Sequence, residues 1–90
     1  MHKELEVGDY LLAISAVQKD DSADAASVIG FNVRVIVTRL DRRPIHGAVL
    51  TEDSGEMTGG RGPFPTAGDA IAHGEAWGRH FVARVLGGAV

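Results

Sequence analysis

Apolar and polar residues alternate most regularly between residues 31 and 38, where β-branched residues also dominate. Successive side chains of a strand point to opposite faces, so this alternation predicts a half-buried β-strand. Four residues are expected to face the core, namely Phe31, Val33, Val35 and Val37. The residues between them are expected to face away from it, namely Asn32, Arg34, Ile36 and Thr38.

Residues 10–17 are apolar on both faces of a strand, which is typical of a central strand. One face would hold Tyr10, Leu12, Ile14 and Ala16, and the other Leu11, Ala13, Ser15 and Val17. The charged residues 1–8 before it predict a frayed N-terminus. The polar and small residues 18–26 after it predict a mobile loop.

A third strand is predicted over residues 45–50, after a charged turn that ends at Pro44. Because the turn is short, this strand and the one before it should be antiparallel neighbours. Strand alternation would place Leu50 on the same face as Ala48, away from Val49. Residues 51–65 form a long connection, and a short edge strand over residues 56–58 remains an open alternative.

The last periodic stretch predicts a helix that begins after Thr66 and ends before Gly87. Thr66 is a favourable N-cap, and Asp69 three residues later complements the positive end of the helix dipole. The residues at helical spacing form one apolar stripe: Ala67, Ala70, Ile71, Gly74, Trp77, Gly78, Phe81 and Val85. The two glycines in this stripe predict a close approach of helix and sheet. The predicted fold is therefore α+β, an antiparallel sheet of three to four strands packed on one face by a single C-terminal helix. Residues 1–90 are expected to form one domain, with residues 87–90 as a tail.

The order of three strands, a glycine- and proline-rich loop and a helix resembles a group of small uncharacterised bacterial domains. Three sets of residues carry the resemblance: Gly8-Asp9-Tyr10 at the first strand, Phe64-Pro65-Thr66 before the helix, and Ala70, Gly74, Gly78 and Phe81 within it. About two-thirds of the chain can be matched to this pattern. The resemblance implies a fold and no activity, and the insert around residues 23–26 departs from it.

Composition narrows the function classes further. The 90 residues carry a net charge of −3 and contain no cysteine, which excludes a disulfide scaffold, a thiolate metal site and a cysteine nucleophile. The acidic first third of the chain argues against a nucleic-acid partner. The N-terminus has no apolar run typical of a secretory signal, so we expect a cytoplasmic protein without a membrane partner.

No residue pattern predicts catalysis, a cofactor or a metal. His73 and His80 are seven residues apart on the helix, whereas two ligands of one metal ion usually lie one turn apart. No serine lies in a nucleophile motif, and the paired acidic residues fall in predicted loops. We therefore expect a protein that is not an enzyme.

Two binding surfaces remain as hypotheses. The first is the sheet face away from the helix, where Ile36 and Leu50 would meet a protein partner or a second copy of the chain. A loop folded back over this face is the alternative. The second is an anion site formed by Arg61 and the backbone amides near Thr66, in a glycine-rich loop before the helix. The predicted function is a non-catalytic interaction module, and the alternative is a small-anion or ligand-binding domain.

Overall fold

The computed structural model describes residues 1–21, 24–45, 47–60 and 62–86, with only the backbone of residues 21 and 24–28. Four strands precede one helix: β1 (His2–Val7), β2 (Tyr10–Asp21), β3 (Asp24–Arg39), β4 (Thr51–Asp53) and α1 (Ala67–Arg84). The strands form one antiparallel sheet in the order β1-β2-β3-β4. The predicted α+β fold with a single C-terminal helix is confirmed.

The N-terminus is the first departure from the prediction, because residues 2–7 form an edge strand and are not frayed. Gly8 adopts a φ of 59°, which allows a two-residue turn between Val7 and Tyr10. Lys3, Leu5 and Val7 then lie on the helix side of the sheet, opposite Ile14, Leu12 and Tyr10. Val7 is 2% exposed, so this strand contributes to the core.

Part of the predicted loop over residues 18–26 forms strands, because β2 continues to Asp21 and β3 begins at Asp24, with shifts of register after Lys19. Residues 22 and 23 lie outside the described residues. Paired strands satisfy each other's backbone hydrogen bonds, so polar side chains do not prevent strand formation here.

The third strand is displaced from residues 45–50 to Thr51–Asp53. Asp41 folds the preceding segment into a turn, accepting hydrogen bonds from the Arg39 guanidinium at 3.0 and 2.8 Å and from the Arg43 amide at 3.0 Å. Arg42 and Gly47 have φ values of 64° and 54°, which lie outside the region that regular strands adopt. Over residues 56–58, Met57 makes only an isolated bridge to Val33.

The core lies between α1 and the centre of the sheet. Its fully buried strand residues are Leu12, Ile14, Val33, Val35 and Val37, and its buried helix residues include Ala70, Ile71 and Val82. Val82 replaces Val85, which is 61% exposed, as the last buried apolar residue of the helix. Trp77 and Phe81 stack with ring centroids 5.1 Å apart and pack beside this core, half-buried, as does Phe31.

Gly74 and Gly78 allow the helix to approach the sheet closely, as the sequence predicts. A methyl group at Gly74 would lie 2.7 Å from methyl carbons of both Ile14 and Val33. One at Gly78 would lie 2.5 Å from a methyl carbon of Leu12. The two glycines therefore occupy the positions where helix backbone and strand side chains meet.

Candidate functional site on the outer sheet face

The side of the sheet turned away from α1 carries a small apolar patch. We call this side the outer face, and its apolar members are Leu11, Ala13, Val17 and Ile36. Each is half-buried, and all except Val17 alternate along their strands with residues buried under the helix. Ala13 and Ile36 are directly opposite each other in neighbouring strands, so they form with Leu11 a patch across β2 and β3, whereas a polar register pair separates Val17 from it.

An ion pair borders the patch on the β4 side. The Nε atom of Arg34 lies 2.9 and 3.1 Å from the two carboxylate oxygens of Asp53, and its Nη2 atom also donates to this carboxylate. The carboxylate further accepts a hydrogen bond from the Gly55 amide at 2.8 Å. The Arg34 hydrogen bond, followed by that from Gly55, lowers the pKa of Asp53 to about 2. Asp53 is therefore ionised at neutral pH and holds Arg34 in place.

A second charged cluster lies on the outer face near Val17 of β2, toward the start of β3. Lys19 Nζ and Asn32 Nδ2 both lie 2.8 Å from Glu56 Oε1, and the hydrogen bond from Lys19 is the largest cause of a lowered Glu56 pKa. Asn32 is the register partner of Val17. Its Oδ1 atom is shielded from solvent and accepts no hydrogen bond from the described part of the chain.

β1 contributes an acidic border on the opposite side. Glu4 and Glu6 pair in register with Ala13 and Leu11, so their side chains lie on the outer face. His2 Nδ1 lies 2.9 Å from Ser15 Oγ, and its Nε2 lies 3.9 Å from Glu4 Oε2. The outer face thus combines an apolar centre with charged borders.

The structure separates the two residues predicted to share this face. Ile36 lies at its centre, between Ala13 and Asp53 in the register. Leu50 is 59% exposed but precedes β4, and the predicted strand that would have placed it on the outer face is absent from the described residues. Leu50 belongs instead to a connecting segment that also exposes Leu40 and Val49.

The predicted anion site is described only in part, because Arg61 lies outside the described residues. Thr66 is the N-cap of α1, and its Oγ1 accepts a hydrogen bond from the Asp69 amide at 3.0 Å. The segment before it is tied to β3, because Phe31 and Phe64 exchange backbone hydrogen bonds of 2.8 and 2.7 Å. The Thr66 hydroxyl therefore has an internal structural role.

Within the described ranges, no group of three or more histidine, aspartate or glutamate residues could hold a metal ion. His73 packs against Phe64 with ring centroids 4.9 Å apart, and His80 is exposed. No described helix is both long enough and apolar enough to span a membrane.

Sequence reasoning missed the strand that forms the acidic border of the outer face. The signal is present in the first eight residues, where His2, Glu4 and Glu6 alternate with Lys3, Leu5 and Val7 before a Gly-Asp turn. Charged residues at both kinds of position obscure this alternation.

The chain matches no protein-family model, no curated protein and no solved structure.

Proposed function

We propose that this chain is a non-catalytic interaction module that pairs with a second copy of itself through the outer face. The observation that supports this most directly is the contiguous placement of Leu11, Ala13 and Ile36 on a face that no described strand or helix covers. Apolar side chains gathered on an open sheet face are stabilised by removal from water.

The charges on the β4 side of the patch are compatible with an identical partner. Arg34 is paired with Asp53, and Lys19 with Glu56, so the border on the β4 side is neutralised within the chain. A second copy presents the same neutralised border. Two-fold pairing of identical surfaces is the commonest form of association among soluble proteins.

The size of the face predicts a weak dimer. The three longer strands at the usual spacing, overlapping over the six residues of β1, present an area of roughly 300 Å² per copy. A stable interface buries about 800 Å² per partner. The dimer should therefore be weak, forming at roughly tens to hundreds of micromolar and dissociating on dilution.

Sedimentation velocity over this concentration range tests the proposal. The wild type should show a concentration-dependent shift from monomer to dimer, and Ile36→Asp should remain monomeric because a charge would be buried at the centre of the interface. Leu50→Asp is the matched control, since it introduces the same charge at an exposed apolar residue outside the sheet. It should dimerise as the wild type does.

Ala13→Glu provides a second variant in case Ile36→Asp fails to fold, and thermal melts establish that each variant is folded. A wild type that stays monomeric throughout this range would contradict the proposal. Equal loss of association in Ile36→Asp and Leu50→Asp would move the interface to the segment that contains Leu50.

We also propose that the chain belongs to the bacterial domain group that it resembles, and that it lies in the cytoplasm. The small-anion alternative stays a prediction, because Arg61 lies outside the described residues.

A further inference from the structure

The outside edge of β1 is an unpaired strand edge in the described sheet. β1 pairs with β2 along all six of its residues and is the first strand in the sheet order, so no described strand lies on its other side. β4, at the opposite edge, has only three residues. An unpaired edge presents a row of backbone donors and acceptors to any extended chain that approaches it.

The register identifies which backbone groups are unpaired. Ala16 N donates to Met1 O at 2.9 Å, and Val7 and Tyr10 close a two-residue turn, so both pairs face each other through hydrogen bonds. Bonded pairs alternate with unbonded ones in an antiparallel ladder. Lys3, Leu5 and Val7 therefore bond to β2. The N–H and C=O groups of the intervening residues point outward, and these residues are His2, Glu4 and Glu6.

The side chains at this edge select against a second copy of the chain. Two-fold antiparallel pairing that continues the sheet keeps both helices on one side, so residues opposite each other must share a face. The pairings with the greatest overlap then place Glu4 against Glu4 or Glu6 of the other copy. Like charges directly opposite each other destabilise a strand pair.

The same charges complement a basic segment. The Glu4 side chain is 60% exposed and the Glu6 side chain is exposed, with a carboxylate on the outer face at every second residue of the edge. On the helix side, Leu5 is half-buried and packs against the core. Over residues 4–7, an incoming strand would therefore meet acidic and apolar positions in alternation.

We infer that the β1 edge accepts an extended segment of another protein that alternates basic and apolar residues. Its lysines or arginines would face Glu4 and Glu6, and its apolar residues would lie beside Leu5. Backbone hydrogen bonds supply the affinity in this mode of recognition and alternate side chains the specificity. The inference does not depend on the proposed dimer, because the incoming strand would bind the outward backbone groups of β1 and not the apolar patch, although Glu4 and Glu6 border both surfaces.

A blocked heptapeptide that alternates lysine and valine is a suitable probe, with the same alternation of glutamate and valine as its control. Titration followed by amide hydrogen exchange should slow exchange at His2, Glu4 and Glu6 by about tenfold when nine-tenths of the protein is bound. Exchange at the Lys3, Leu5 and Val7 amides should change little, because these amides already bond to β2. The glutamate peptide should not bind.

Variants of Glu4 and Glu6 test the backbone and the charge separately. Glu4→Pro and Glu4→Gln both remove the Glu4 carboxylate, but only Glu4→Pro also removes an outward N–H, without removing a bond to β2. Glu4→Pro should therefore weaken the lysine peptide by about fivefold or more beyond Glu4→Gln. Glu6→Gln keeps the edge intact and should weaken it by about two- to fivefold. Glu52→Gln, which removes one carboxylate from the other edge of the sheet, should leave the affinity unchanged.

Three results would overturn the inference. The first is equal binding of both peptides. The second is slowed exchange at Leu11 and Ile36 in place of the edge amides. The third is full protection of the Glu4 and Glu6 amides in the free protein, which would show that a second copy or another segment of this chain already occupies the edge.

Discussion

Replacing Gly74 by alanine should destabilise the protein, even though alanine is the better helix former. The added methyl carbon would lie 2.7 Å from Ile14 Cγ2, 2.7 Å from Val33 Cγ2 and 3.2 Å from Val35 Cγ2. All three neighbours are fully buried, β-branched residues of the two central strands. Such side chains have few alternative rotamers, so the helix must move away from the sheet.

The magnitude follows from two opposing effects. Alanine gains about 1 kcal/mol over glycine in a helix interior, whereas overpacking a well-packed core costs about 1–3 kcal/mol. Gly68→Ala is the matched control in the same helix, because its methyl carbon would meet only Thr66 Oγ1, at 3.8 Å. The difference between the two variants isolates the packing cost, and should be about 1–3 kcal/mol in the free energy of unfolding.

Gly78→Ala should fall between these variants. The three atoms nearest to its methyl carbon all belong to the side chain of Leu12, whose terminal carbons can rotate more freely than those of valine. Thermal melts resolve the series, since 1 kcal/mol corresponds to about 4–8 °C in Tm for a domain of this size. If Gly74→Ala raised Tm as much as Gly68→Ala does, the close approach of helix and sheet would be wrong.

Two further predictions concern acid stability and the aromatic pair. The pKa values of Asp41 and Asp53 are lowered to about 2, chiefly by hydrogen bonds from Arg39 and Arg34 respectively. A carboxylate whose pKa is lower in the folded state stabilises the fold above its unfolded pKa, and this stabilisation is lost as the pH falls. Stability should therefore fall between about pH 4 and pH 2. Denaturant titrations of the wild type and of Asp41→Asn/Asp53→Asn should show a shallower fall in the double variant, and equal slopes of stability against pH would contradict the assignment. Trp77→Ala should cost about 2 kcal/mol, roughly half the value for a fully buried aromatic residue, because Trp77 is half-buried. The exposed residue Val85 is the control, and Val85→Ala should change stability by less than about 0.5 kcal/mol; equal effects of the two substitutions in urea unfolding would show that Trp77 does not contribute to the core.

Periodicity was sufficient to predict β2, β3 and α1, which form most of the core. Val33, Val35 and Val37 alternate without interruption, and the structure buries all three. Thr66 caps the helix as predicted, and the spacing of Gly74 and Gly78 indicated the close approach of helix and sheet. In each case the residues themselves determine the geometry over a few positions.

The elements that periodicity missed depend on contacts that are distant in sequence or specific to side chains. β1 is stabilised by its pairing with β2, and the charged residues of β1 do not predict this pairing. The turn before β4 depends on Asp41 accepting hydrogen bonds from both sides and on the positive φ of Arg42. Ile36 could be placed on the outer face because β3 is regular, whereas the position of Leu50 required a strand that this turn prevents.

The outer face as the site of self-association is the central claim, and an isotope-filtered NOE experiment tests it most directly. A sample that mixes labelled and unlabelled protein, at several hundred micromolar, reports only contacts between copies. We predict intermolecular methyl contacts among Leu11, Ala13 and Ile36. These contacts should disappear in Ile36→Asp, while the Gly74 amide signal of the folded helix remains. Intermolecular contacts confined to Leu40, Val49 and Leu50, or none at all, would contradict it.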